Sequence, residues 1–89
     1  MDVKDLRYFV AVYDALSFSR AAKRLHTVQS HVSSRIRALE KHLRAALFER
    51  FPAVTPTPRA RALCRQARRI IAAMGAFERN ARRRGKRRR

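Results

Sequence analysis

Two apolar stripes at helical spacing, with only a few residues between them, limit what this sequence can fold into. The longer one runs through residues 25–43, LHTVQSHVSSRIRALEKHL, where Val28, Val32, Ile36, Leu39 and Leu43 recur at steps of three and four. Its opposite face carries Gln29, Ser30, Ser33, Ser34 and Arg37, and no acid before Glu40. A solvated helix face is ordinarily rich in Glu and Lys, which propagate helix well, whereas the serine hydroxyl competes for the backbone. A helix that accepts this loss of propensity displays hydroxyl, amide and guanidinium groups, which are hydrogen-bonding partners for base edges and phosphates.

The shorter stripe precedes it. Phe18, Ala21, Ala22 and Leu25 form the buried face of a helix that Ser17 or Ser19 can cap. The two alanines suit a close helix crossing, and Arg20, Lys23 and Arg24 lie off that face, free to reach phosphate. Thr27 is the expected N-cap of the helix that follows. Two helices joined by a turn of about three residues, the second with a polar face, form a helix-turn-helix arrangement over about residues 18–37.

The flanking chain supplies a frame. Asp2 and Asp5 stand where carboxylates favour a helix start, and Leu6, Phe9, Val10 and Tyr13 predict a first helix ending near Ala15 or Leu16. After Leu43, the alternation in Leu47-Phe48-Glu49-Arg50-Phe51 has the period of a strand, and Val54-Thr55 can form a short return. Proline at 52, 56 and 58 keeps that ladder to a few bonds. Thr57-Pro58 reads as a cap and first helical position. A long helix follows to beyond Arg79, its seam of Leu63, Ala67, Ile70, Met74 and Phe77 stepping by four and three. Such a helix outreaches a small domain, so the seam is expected to serve partly as a dimer interface, with Met74 and Phe77 intermolecular. Gly75 weakens the helix locally. From Arg79 to Arg89, eight of eleven residues are Arg or Lys, a run expected to be disordered and to contact phosphate non-specifically.

Composition narrows the function. The 89 residues make one domain with a small core, and the formal net charge of +17 calls for a polyanionic partner, with nucleic acid ahead of an anionic membrane surface. No apolar run is long enough to span a bilayer, and the N-terminus has acids where a signal peptide has bases. Cys64 is the sole cysteine and reads as a small buried apolar residue. His26, His31 and His42 have no metal-ligand spacing. With six acids, two glycines and no phosphate loop or catalytic triad pattern, neither enzyme chemistry nor a cofactor is expected.

The pattern resembles the N-terminal DNA-binding domain of LysR-type bacterial transcription regulators. The resemblance is carried by LRYFVAV (6–12), SFSRAAKRLH (17–26), VQSHVSSRIRALEKHL (28–43), LFER (47–50) and Thr57, Pro58, Ala62 and Leu63, and it covers nearly all of residues 1–78. It implies a mainly α fold: a winged helix-turn-helix with a three-helix core and short β-wing over residues 1–58, and a long C-terminal linker helix at 59–80 that makes a homodimer. The basic tail takes 81–89. It further implies sequence-specific binding to double-stranded DNA, as activator or repressor, with the third helix in the major groove. The matching base-contact positions are Gln29, Ser30, Ser33 and Ser34, and glutamine can pair bidentately with adenine. The expected phosphate contacts are Ser17, Ser19, Arg20, Arg37 and Arg50, the first three near a helix N-terminus where free N–H groups favour an anion.

Three departures stand out. Arg44 occupies a position where the family usually has a glycine, Phe51-Pro52-Ala53 replaces basic and glycine residues at the wing tip, and Ala60 replaces a glycine early in the linker helix. The effector-binding domain usual in the family is not expected in this chain, nor is a small-molecule effector site. The expected location is the cytoplasm, at the nucleoid. The alternative reading is a basic protein that binds nucleic acid without sequence preference; a membrane-active cationic protein is a more distant class.

Overall fold

The computed structural model describes residues 1–87. Helices α1 (Val3–Ala15), α2 (Phe18–Arg24) and α3 (Gln29–Leu43) are followed by strands β1 (Phe48–Glu49) and β2 (Thr55–Pro56) and by helix α4 (Pro58–Arg87). The architecture is the expected mainly α, winged helix-turn-helix one.

Helix α1 begins in a reciprocal cap. The Asp5 N–H donates to the Asp2 carboxylate at 3.1 Å and the Asp2 N–H donates to the Asp5 carboxylate at 3.0 Å. Tyr8, Phe9, Val12 and Ala15 are buried, whereas Leu6, Val10 and Tyr13 are half-buried and pack at the edge of the core. The stripe is wider than Leu6, Phe9, Val10 and Tyr13 imply because α1 is the central helix, in contact with α2, α3 and α4. Ser17 is the cap of α2, its Oγ accepting from the Arg20 N–H at 3.1 Å. Ala21 is fully buried and Ala22 nearly so.

The turn between α2 and α3 is four residues, Leu25 to Val28, and Thr27 does not cap α3. The Thr27 N–H donates back to the Ala22 carbonyl at 2.9 Å, while the His26 N–H reaches that of Lys23 and His26 takes a left-handed φ of 57°. That pair of bonds closes α2 and holds Thr27 in the turn, one residue before the N-cap of α3. Val28 stands at the N-cap, and no side chain caps the helix. The exit of α3 is built the same way. Arg44 adopts φ 54°, with its N–H on the Lys41 carbonyl and the Ala45 N–H on that of Glu40. Arginine therefore keeps the geometry that glycine usually supplies, at a backbone cost of about 1 kcal/mol.

The wing is minimal and antiparallel, pairing Phe48 with Pro56 and Glu49 with Thr55. Its expected alternation fails at both ends: Leu47 and Phe48 are both buried, and Phe51 is 90% exposed. Only two residues of each strand pair, so the pleat does not persist to Phe51. Phe48 joins Phe9 and Phe18 edge-on, at ring separations of 5.8 and 6.2 Å.

Thr57 opens α4 as expected, accepting from the Ala60 N–H at 3.1 Å and donating to the Ala46 carbonyl at 2.7 Å. Ala60, Cys64 and Ala67 bury one face of α4 in the core, and the alanine at position 60 fits without the family's glycine. The helix then outruns the body, and the molecule measures 57 Å along its longest axis against 25 and 19 Å across. It continues to Arg87 rather than giving way to a disordered tail after residue 80. Arginine and lysine are strong helix formers, and propagation from an anchored helix needs no new nucleus. Arg88 and Arg89, the rest of the expected tail, lie outside the described residues.

Candidate nucleic-acid interface

Helix α3 turns Val32, Ile36 and Leu39 inward, which sets the orientation of everything on its other side. Gln29, Ser30, Ser34 and Arg37 are exposed and Ser33 is half-buried. The five positions share one face, so burial of the apolar stripe lines the polar groups up as a ridge. Its N-terminal end also carries N–H groups without a side-chain cap. At the start of α2, Ser19 and Arg20 are exposed and the Ser19 hydroxyl lies 3.3 Å from that of Ser17, whose oxygen is engaged by the helix. Lys23 and Arg24 are exposed at its last turn.

Two clusters hold α3 in place, and neither was legible in the sequence. The first centres on Glu40. One carboxylate oxygen accepts from the N–H groups of Leu47 and Phe48 at 2.8 and 3.2 Å, and the other accepts from Arg50 Nη2 at 3.2 Å. Arg50 also donates from Nη1 to the Ser33 hydroxyl at 3.3 Å and stacks 4.6 Å above the Phe18 ring. The acid thus ties α3 to the first strand of the wing. The same geometry changes the place of Arg50, which was expected at phosphate. Its side chain is only 20% exposed, with its guanidinium engaged by a carboxylate, a hydroxyl and an aromatic face. Opposite charge spaced ten residues apart was the only available signal.

The second cluster joins α3 to α1. Arg35 Nε lies 3.1 Å from Asp5 Oδ1, and its guanidinium sits 5.6 Å from the Tyr8 ring. Tyr8 meets His31 edge-on at 5.6 Å, so the ridge neighbour His31 is braced from below. The Asp2 carboxyl is held below its ordinary value, chiefly by the Asp5 N–H that donates to it, with Arg35 contributing.

The expected seam on α4 divides. Ala67 is buried in the protein's own core and Leu63 is half-buried against it, whereas Ile70 is 47% and Phe77 73% exposed and Met74 is intermediate. Beside it runs an apolar groove of about 160 Å³, lined by Met1, Leu6, Leu39, Leu43, Leu63 and Ile70 among others. On the far flank, Arg68 donates to the Asp14 carboxylate from both Nη1 and Nη2. Burial pushes the neighbouring Cys64 thiol up from its ordinary value.

Known proteins share this fold. The family described as "Bacterial regulatory helix-turn-helix protein, lysR family" matches residues 3–61. The chain is 44% identical over 75 residues to the "Uncharacterized HTH-type transcriptional regulator in ibpB-leuC intergenic region" of Azotobacter vinelandii, covering 83% of this chain and 52% of that protein. It is 43% identical over 72 residues to the "HTH-type transcriptional regulator TfdS" of Cupriavidus pinatubonensis, covering 80% of this chain and 24% of that protein. The chain therefore spans about half the length of the first relative and a smaller share of the second. Among solved structures, the "BenM_DBD/benA site 1 DNA Complex" superimposes with a TM-score of 0.89 at 32% identity, covering 93% of this chain and 94% of that one. The "CbnR_DBD-DNA complex" gives 0.89 at 34% identity, covering 96% and 99%. By its matched residues and its fold, this chain belongs to the LysR family of bacterial regulatory helix-turn-helix proteins.

Proposed function

We propose that this chain binds double-stranded DNA sequence-specifically and regulates transcription, with α3 in the major groove. The observation that carries the reading is the exposed ridge of Gln29, Ser30 and Ser34 on a helix whose opposite face is locked into the core. The two neighbouring DNA complexes support it, being structures of the same fold on DNA. In this reading Gln29, Ser30, Ser33 and Ser34 meet base edges. Ser17, Ser19, Arg20 and Arg37 meet phosphate, which fixes register without reading sequence. Arg50 acts one step back: it holds the Ser33 hydroxyl and anchors the wing to Glu40 rather than contacting phosphate freely.

Residues 1–58 are the DNA-binding body and 59–80 the dimerisation helix. Two copies associate through Ile70, Met74 and Phe77, with Leu63 at the edge of the interface and Ala67 beneath it as core support. The adjoining apolar groove gives the second copy a surface to cover. A dimer would read two half-sites spaced by a helical turn or a multiple of it. The protein acts in the cytoplasm, at the nucleoid.

Selection of bound sites from random duplex DNA identifies the preferred sequence. On that site Gln29→Ala is expected to weaken binding by about 1–3 kcal/mol while leaving random DNA almost unaffected. Equal loss on both, or no preferred site at all, refutes base reading and leaves the non-specific alternative, in which charge alone sets affinity.

A further inference from the structure

Beyond Phe77, α4 is not used by the core, the ridge or the apolar seam. Every residue from Glu78 to Arg83 is exposed, and Arg79, Arg82 and Arg83 share a face turned away from Ile70, Met74 and Phe77. Arg61 and Arg65, also exposed, lie on that same face nearer the body. Glu78 is the only acid after Glu49, and the sequence adds five further Arg or Lys residues from Arg84 to Arg89. Among the described residues, no ion pair involves Arg79, Arg82 or Arg83. Such a run of like charge repels itself, yet it is carried here on a helix instead of being allowed to spread. A polyanion lying along the stripe removes that repulsion.

We infer that the distal α4 stripe is a second, sequence-independent binding site for the phosphate backbone of duplex DNA, separate from α3. Separation follows from the packing: α4 lies mainly on α1 and β2, and its residues past Phe77 are all exposed as far as Arg83. A stiff row of guanidinium groups suits the regular, stiff backbone of a duplex, which offers one charge per about 1.7 Å of axis. The duplex can be the DNA flanking the site that α3 occupies or another duplex altogether. The inference rests on the proposed DNA-binding function.

The test uses the full chain with Arg79→Gln, Arg82→Gln and Arg83→Gln together, since glutamine keeps helix propensity and removes charge. Affinity is measured against salt on the selected site as a minimal duplex, on the same site with long flanks, and on random duplex. The slope of log K against log salt is expected to shrink by about 0.9 for each phosphate that is no longer neutralised, thus by about 2 to 3 for each copy of the chain bound. Preference for the selected site over random DNA stays as in wild type. A loss confined to the flanked duplex assigns the site to flanking DNA. A loss confined to capture of a second labelled duplex, by protein saturated with the first, assigns it to bridging. Unchanged slopes and unchanged capture overturn the inference. If wild type shows no preferred site, the base-reading function fails, and the slope comparison still stands as an independent readout.

Discussion

Glu40 is the residue whose replacement tests the architecture most sharply. Its carboxylate is 17% exposed and accepts three hydrogen bonds, from two backbone N–H groups at the start of the wing and from Arg50. Glu40→Gln leaves one acceptor oxygen and turns an amide N–H₂ toward a donor. Either the Leu47 and Phe48 N–H groups or the Arg50 guanidinium must lose its partner. A lost hydrogen bond to a charged group costs about 1.5–3 kcal/mol, and a donor stranded in a half-buried site adds to it. We expect a total near 3 kcal/mol, a large fraction of the roughly 5–10 kcal/mol typical for a domain of this size. Denaturant titration reads it directly, and the thermal midpoint should fall by more than about 10 °C. Arg50→Met, which leaves Glu40 its two backbone donors, should cost less. A double-mutant cycle on the pair should return a coupling of about 1 kcal/mol or more. A loss below about 0.5 kcal/mol for Glu40→Gln, the range of an ordinary surface change, refutes the account of Glu40 as the tie between α3 and the wing.

Three other outcomes are expected. Phe77→Asp, on a residue 73% exposed, should halve the mass found by sedimentation without lowering monomer stability; an unchanged mass would reject the seam. Arg44→Gly should stabilise the protein by about 0.5–1 kcal/mol, because glycine adopts the left-handed conformation without the side-chain clash at φ 54°; a drop in the denaturation midpoint would show that the arginine side chain contributes something the backbone argument omits. Burial raises the Cys64 thiol above its ordinary value, so at a given pH less of it is thiolate than in an exposed cysteine. Alkylation at pH 8 should be slow in the native protein and fast in denaturant, and equal rates would contradict the buried position.

Much of the fold is readable because its signals are local. Apolar spacing set out the helices, Asp2 with Asp5, Ser17, and Thr57-Pro58 marked three of the starts, and the prolines foretold a short wing. Those features depend on residues within a turn of one another. Even there, locality had a limit. Leu16, His26 and Arg44 all terminate helices in left-handed geometry without glycine, so the usual stop signal is missing from the sequence at each of them. Thr27 has the right chemistry for a cap, but α3 starts one residue later than expected and Val28 takes the N-cap position.

The polar ridge of α3 was determined by sequence alone: once Val32, Ile36 and Leu39 must be buried, Gln29, Ser30 and Ser34 must face out. Tertiary structure decided what lies behind it. The family resemblance put Arg50 among the expected phosphate contacts, whereas the meeting of β1 with α3 placed it between Glu40, Ser33 and Phe18. Spacing made Ala67 and Phe77 equal members of one seam, whereas the footprint of α1 on α4 buried the first and left the second exposed. A one-dimensional period shows which residues share a face. Which other element covers that face, and how far along the helix the cover extends, is set by contacts between segments distant in the chain.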